Sequence, residues 1–490
     1  MTYVRLGCVA LVIATLRGII GEVRSTGDKP PEHWRTHFMA TTYEIISTAQ
    51  GRHLKITGDL PQGFHGEQQG DSWVCPLDAQ NAAAVRQAMP WTAPTTVGLK
   101  KSIGCGDRLG LATPGHILAV QGTDMFPVFA QQSIREMERS NRTPQNVMDD
   151  ATFGVLQMNY QSGFGSDADH LKNIKAIDDC IAAGFVGFTL DPNEHVDNAA
   201  HTDDHATLQQ KFDSLPWDAL ETSADDLKKL YIGNTPGGAI DEEALLRATG
   251  KYSRAIAHVT KLARYIASEF NGQPYDLEVS VDETDTPTSP AEHYFFASEL
   301  KRLGVDFHGL APRFIGSFEK GVDYIGDLDV FENDFAVHAK IARELGPYKL
   351  SIHTGSDKFS IYPIIFKHTG QYVHLKTAGT SWLEALRVVA MHNVPLFREI
   401  LDFAIERYPT DRASYHVSGD LSKVPANPAD SELPDLFEQF DARQVLHVTF
   451  GSILDHYRKP VYDVLYEHND TYDAVLKKHF DRHIAPFQNN

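Results

Sequence analysis

The sequence predicts an α/β protein folded as a (β/α)8 TIM-like barrel, and three observations carry that expectation. From Val97 onward, short β-branched runs alternate with amphipathic helical stretches, the pattern of βα units that lay down a parallel sheet. Eight such runs occur, the number that closes a barrel. No Gly-x-Gly-x-x-Gly follows the first of them: Gly104-Cys105-Gly106-Asp107-Arg108-Leu109 lacks the third glycine, which weighs against an open dinucleotide-binding sheet.

Taken in chain order, residues 1–38 read as an extension or a misassigned start. The apolar run Leu6 to Leu16 follows Arg5 like the core of a signal peptide, but it is shorter than the ~18 residues a membrane span needs, and no small-x-small cleavage site follows. A cytoplasmic protein with no membrane partner is therefore expected. Residues 39–95 form a small N-terminal part rich in turn residues, and 96–490 the catalytic barrel. Its expected strands are Val97 to Ile103, Phe126 to Gln131, Val186 to Asp191, Leu277 to Asp282, Val305 to Gly309, Lys349 to His353, Tyr372 to Lys376 and Val445 to Phe450. Helical patterns cover Ile134 to Asn141, Thr143 to Asn159, His170 to Ala183, Glu242 to Phe270, Ala291 to Leu303, Glu332 to Leu345, Ser381 to His392 and Leu396 to Arg407. The second and third runs are separated by more than one helix, and the last unit carries an extra segment, Ala413 to Asp441. An acidic insertion at about 193–240 follows the third expected strand, on the face where barrel enzymes build their sites, as a lid or a surface excursion. Its histidines, His195, His201 and His205, are expected in solvent.

Charge and composition narrow the function. Forty-five Lys plus Arg against 65 Asp plus Glu leave a net charge of −20, which repels polyphosphate backbones, so no nucleic acid partner is expected. With 42% hydrophobic and 22% charged residues the chain is an ordinary globular protein. Cys8, Cys75, Cys105 and Cys180 form no CxxC or Cys/His pair and read as free thiols. The 23 histidines point towards metal or acid/base chemistry.

Period-two alternation in the later strands shows where that chemistry sits. In Leu277-Glu278-Val279-Ser280-Val281-Asp282 the apolar residues face the helices and Glu278, Ser280 and Asp282 face inward, with Glu283 at the rim. His308, Ser351, His353, His374 and Lys376 point inward by the same count. Barrel interiors are normally filled by branched apolar residues, so ionisable groups stacked there need partners or a ligand. Carboxylates and imidazoles converging from several strand ends are how this fold assembles a divalent-cation site, and His308 and His353 with Asp282-Glu283 are the candidates. Lys376 reads as a Schiff-base lysine or as a cation that holds an acidic substrate. Asp107-Arg108, beside Gly104 and Gly106, suits bidentate capture of a carboxylate or a buried structural pair. Ser166-Asp167-Ala168-Asp169-His170 precedes an amphipathic helix, so one Asp is expected as an N-cap, leaving Asp169 and His170 to supply a base and a ligand. Thr354-Gly355-Ser356-Asp357-Lys358 offers hydroxyls and charges to a polyol.

These same segments resemble the tagaturonate epimerase family. The resemblance is carried by KSIGCGDRLGLATPGH (Lys101 to His116), FPVFAQQSIRE (Phe126 to Glu136), SDADHLKN (Ser166 to Asn173), SVDETDT (Ser280 to Thr286), SIHTGSDKFSIYP (Ser351 to Pro363) and HLKTAGTSWLEALR (His374 to Arg387), and spans about Thr96 to the C-terminus. Cys105 departs from the pattern, and the first 38 residues have no counterpart. The resemblance implies a divalent-cation-dependent interconversion of two ketouronates, D-tagaturonate and D-fructuronate. It implies Asp169 and Glu283 as the acid/base pair and His170, His308 and His353 as metal ligands; Asp107, Arg108 and Lys376 are the expected substrate contacts from the positions read above. A sugar-acid aldolase that releases its fragments is the nearest other enzyme; a sugar-binding protein would not need an ionisable cluster inside a barrel.

Overall fold

Eight parallel strands close a barrel in the computed structural model, which describes residues 41–48, 51–233, 240–377, 379–425 and 427–488. The expected extension 1–38 lies outside the described residues. Two compact units divide the chain, 1–88 and 89–490. The first holds an antiparallel sheet of β1 (Thr42–Thr48), β2 (Gly51–Thr57), β3 (Glu67–Gln69) and β4 (Ser72–Pro76) in the order β1-β2-β4-β3. Leu54, Ile56 and Cys75 from these strands, with Ala82 and Val85 from the helix Ala79–Ala88, are fully buried.

The second unit is the barrel: β5 (Ser102–Cys105), β6 (Phe126–Ser133), β7 (Gly165–Leu171), β8 (Gly187–Leu190), β9 (Asp276–Ser280), β10 (Gly309–Ala311), β11 (Lys349–Ile352) and β12 (Val373–Thr377), each parallel to the next, with β12 closing on β5. Outward-facing Ile103, Leu277, Val279, Leu310, Leu350, Ile352, Val373 and Leu375 are buried and form the core with the surrounding helices. Inward positions are polar, as the alternation predicts: Ser102, Asp167, Asp169, Thr189, Ser280, Ser351, His353, His374 and Lys376 are all buried.

Two expectations about the strands are corrected. Val445 to Phe450 is not a strand; it lies in and after the helix Phe440–Val448, where the whole segment is buried. A short apolar run buried on every side has no alternation that would tell helix from strand. The missing strand is Gly165–Leu171, in the wide gap between the second and third expected runs. Its sequence GSDADHL carries its polar side chains into the barrel and so lacks the apolar signature of a strand. The helix expected from His170 starts at Ile174, capped by the Asn173 side chain, which accepts from the Ala176 N–H at 3.0 Å, so neither Asp167 nor Asp169 is the cap. The insertion consequently follows the fourth barrel strand, β8, rather than the third. It leads into the 29-residue helix Glu242–Phe270, whose Asp241 caps Ala244 and whose Leu245, Leu246, Ile256, Val259, Leu262 and Ile266 lie buried. His195, His201 and His205 are exposed as expected. Among the described residues, no helix is long and apolar enough to cross a membrane, and Cys75, Cys105 and Cys180 are free and buried.

Candidate active site

The C-terminal half of the barrel interior is a network of charges centred on Lys376. Its ammonium lies 2.8 Å from Asp167, 2.8 Å from Asp169 and 3.0 Å from Glu278, and donates to Thr189 at 3.0 Å. Burial favours the neutral amine, but three carboxylates outweigh it and hold the pKa well above the ordinary lysine value. A Schiff-base lysine must be neutral to attack, and this one is held as a cation with its donors spent. It is also only 2% exposed, so the expectation that Lys376 grips the substrate is corrected: it is the counter-ion of the barrel's own acids. Gly309 leaves room for one of them, since a Cβ there would lie 2.8 Å from Glu278 Oε2.

Above this network stand two imidazoles. His353, at the end of β11, has Nε2 2.6 Å from Glu278 and Nδ1 3.2 Å from Asp282. Burial and Lys376 oppose its protonation, yet Asp282 and Glu278 raise its pKa to about 9. His170 reaches the same place through a break in β7. The pairing of β7 with β8 shifts register between Ala168 and Leu171, and His170 adopts φ 57°, a left-handed conformation that a non-glycine residue rarely holds. The bulge breaks the alternation, so that Asp169 and His170, which a regular strand would send to opposite faces, both face the site. Nδ1 of His170 lies 3.0 Å from Asp191, at the end of β8, and Nε2 lies 3.8 Å from Asp169. Burial lowers the His170 pKa less than Asp169 and the Asp191 hydrogen bond raise it, and it comes to about 10. Burial pushes Asp169 up, but His170 and Lys376 hold it well below the usual carboxylate range; His353 does the same to Asp282.

Asp169, His170 and His353 each present a ligand atom, all within 4.8 Å of one another, and the His170–His353 ring centroids are 5.1 Å apart. Imidazoles held protonated among buried carboxylates mark a place where a cation is favoured, and two nitrogens with one carboxylate are a donor set that divalent transition ions accept. Asp191 on the second nitrogen of His170 is the orienting partner that such a ligand requires. The donor set fits a divalent cation.

His308 is not part of it. The strand β10 begins at Gly309, so His308 lies at the N-terminal entrance of the barrel, 3.8 Å from Asp276 at the start of β9. It lines a small cavity with Lys349 and His374, below the Lys376 layer. Asp107 and Arg108 are corrected as well. Asp107 accepts from the backbone N–H groups of Leu109, Gly110 and Ala112 and shapes its own loop. Arg108 is 1% exposed, paired with Glu136 and packed over the Phe450 ring. A buried structural role explains both residues, with Glu136 rather than Asp107 as the arginine's partner. In the loop after β11 only Thr354 faces the site; Asp357 and Lys358 are buried, Lys358 on the carbonyls of Glu319, Val322 and Ser356.

A cavity of about 320 Å³ opens onto this cluster, lined among others by Asp282, Glu283, His353, Thr354, Arg135, Arg313 and Lys320. Glu283 accepts from Arg135 at 2.7 Å. Arg135, Arg313, Lys320 and Asp191 were not singled out by sequence reasoning. Arg135, Arg313 and Asp191 each sit just beyond the C-terminal end of a barrel strand, and that position was the available signal; Lys320 lies further along the loop after β10, where strand position gives none.

Residues 38–487 match the UxaE family model, described as tagaturonate epimerase. The tagaturonate/fructuronate epimerase of Thermotoga maritima is 41% identical over 458 residues, covering 90% of this chain and 93% of that protein. Two crystal structures of the fructuronate-tagaturonate epimerase of Cohnella laeviribosi, one complexed with glycerol and one native, match with TM-scores of 0.86 and 0.85 at 36% identity, covering 91% of this chain and 94% of that chain.

Proposed function

The chain belongs to the tagaturonate epimerase family and is an epimerase, and from that premise we propose that it interconverts D-tagaturonate and D-fructuronate with a divalent cation held by His170, His353 and Asp169. The observation that carries the cation is the β7 bulge, which turns Asp169 and His170 together towards His353. We read Asp169, expected as half of an acid/base pair, as part of the ligand set, a reading its closeness to His170 and His353 supports. That leaves Glu283, on the cavity wall, to move the proton.

The substrate's chemistry limits the route. The two ketouronates differ at a carbinol carbon β to the ketone, and the C–H of that carbon is not acidified by the carbonyl, so enolisation cannot invert it. In a retro-aldol route Glu283 takes the proton of the hydroxyl on the inverting carbon. The bond from that carbon to the ketone's α-carbon breaks, leaving an aldehyde and an enolate. The aldehyde turns over and the bond re-forms on its other face, with the new hydroxyl recovering a proton from the Asp282-Glu283 side of the cavity. A bound divalent cation supplies Lewis-acid withdrawal at the substrate's ketone end. Lys376 keeps Asp169 and Glu278 charged and holds them and Asp167 in place beneath.

The hydrogen on the inverting carbon never leaves it. D-Tagaturonate deuterated there is expected to yield D-fructuronate with full label and a small isotope effect. Release of deuterium to solvent would return the problem to proton abstraction, and two three-carbon products in place of the epimer would make the enzyme an aldolase. Stripping divalent ions with a chelator is expected to abolish turnover, and adding them back to restore it.

A further inference from the structure

The cavity above the ligand cluster is lined by three cations, Arg135, Arg313 and Lys320, and by three carboxylates, Asp282, Glu283 and Asp285. Arg135 is spent on Glu283 at 2.7 Å. The other two belong to the loop that follows β10. Arg313 gives one guanidinium N–H to the Thr284 carbonyl, and Lys320 donates to the Thr354 hydroxyl at 2.9 Å. Among the described residues neither has a carboxylate within 4.0 Å. Other cations drawn into this half of the molecule are compensated: Lys376 by three acids, Arg108 by Glu136, Lys251 by Glu292, Lys358 by three carbonyl oxygens. Lys320 has one hydroxyl for three donors; burial lowers its pKa and Arg135 adds to the effect, while the more distant carboxylates Glu136, Glu283 and Asp282 oppose it. A part-buried ammonium on the cavity wall, beside a second cation and with one protein acceptor for three donors, has donors left to meet an anion.

We propose that Lys320, with Arg313 on the same loop, forms the subsite that binds the carboxylate of the substrate. The inference rests on the ketouronate reading above and gives it an orientation: the carboxylate end lies at Lys320, the ketone end at His170 and His353. Thr354 joins the two ends, because it follows His353 directly and accepts the Lys320 hydrogen bond. In a retro-aldol cleavage the carboxylate stays on the aldehyde fragment. A clamp on it retains that fragment while the aldehyde carbon turns about the bond to its neighbour, which separates an epimerase from an aldolase. Arg108 and Lys376 are too deeply paired to serve in this way.

Lys320→Met and Lys320→Arg test the clamp. Lys320→Met is expected to raise the KM for D-tagaturonate about tenfold or more and to leak three-carbon products, with divalent-ion content and melting temperature unchanged. Lys320→Arg is expected to stay within a few fold of the unaltered enzyme in KM. A Lys320→Met enzyme with unaltered KM, or one whose loss follows lost metal or lost stability, overturns the subsite. An unaltered enzyme that does not epimerise D-tagaturonate fails the ketouronate reading instead. The clamp is then judged by calorimetric titration of the same proteins with D-tagaturonate, where equal affinities, or none in either protein, overturn it.

Discussion

His308 and His353 carry the same credentials in the sequence, each near the end of an expected strand on an inward-facing position, yet they lie at opposite ends of the barrel. What separates them is where each strand begins. β11 runs Lys349–Ile352 and delivers His353 to its C-terminal rim, whereas β10 runs Gly309–Ala311 and leaves His308 before its first residue. His353 is 5% exposed between two carboxylates; His308 is part-exposed and 3.8 Å from Asp276. His353→Ala and His170→Ala are expected to lose bound divalent ion and more than about 100-fold in turnover, because no neighbouring group replaces an imidazole lone pair. His308→Ala is expected to keep both the ion and most of the activity. Metal content of the purified variants by mass spectrometry decides the matter, and loss of the ion from His308→Ala would reverse the assignment.

The loop 354–361 and the helix Asn469–Ile484 act as one element. Asp357, at φ 64°, lies 3.0 Å from Arg443 and 2.9 Å from His479, and its backbone N–H donates to His483 Nε2 at 2.9 Å. Burial would raise the Asp357 pKa, but Arg443 and His479 hold it well below the carboxylate range. Asp357, His479 and His483 also present ligand atoms within 4.8 Å of one another, and the His483 ring bonds to the Asp357 N–H and to the His479 carbonyl at 3.0 Å. The cluster pins the last helix onto the loop that carries Thr354. Asp357→Ala strands a buried guanidinium and is expected to cost about 3 kcal/mol in urea denaturation, with turnover falling as Thr354 loses its support. An unchanged unfolding midpoint would show that the contact does not matter to stability.

Across the whole molecule seven histidines fall into two groups with opposite pH signatures. Burial lowers His116 to about 4 and His374 and His483 to about 3, and leaves His293 and His447 well below 6.5. Below pH ~6.5 the unfolded chain takes up protons that these buried rings refuse. Their contribution is therefore complete above that pH and is lost as pH falls towards 3 to 4, by up to about 1.4 kcal/mol per group per pH unit. His170 and His353, raised to about 10 and about 9, act in the other direction: their contribution is present below pH ~6.5 and is lost as pH rises through 9 to 10. The cation-free protein is expected to show a stability maximum near neutrality with a steep acid limb. Denaturation measured from pH 4.5 to 10 checks it, and a flat profile between 6.5 and 4.5 would contradict the neutral burial of the histidines.

Periodicity was enough to read the barrel, the helix Glu242–Phe270 to its ends, and the inward course of Glu278, Ser280, Ser351, His374 and Lys376, because each depends on which face of a regular element a residue occupies. It failed where regularity fails. GSDADHL hid a strand because its inward face is charged, and VLHVTF imitated one because it is buried all round. The pairing of Asp169 with His170 depends on a bulge, and the partners of Lys376 and Arg108 depend on which strand and helix ends meet. Those are contacts between residues far apart in sequence, such as Asp169 and Lys376, 207 positions apart, and local spacing carries no information about them. The sequence by itself determined which groups of the regular strands face the barrel interior; only the closure of eight strands, with the bulge in β7, decided which acids neutralise which cations, because those pairs are made between elements far apart in the chain.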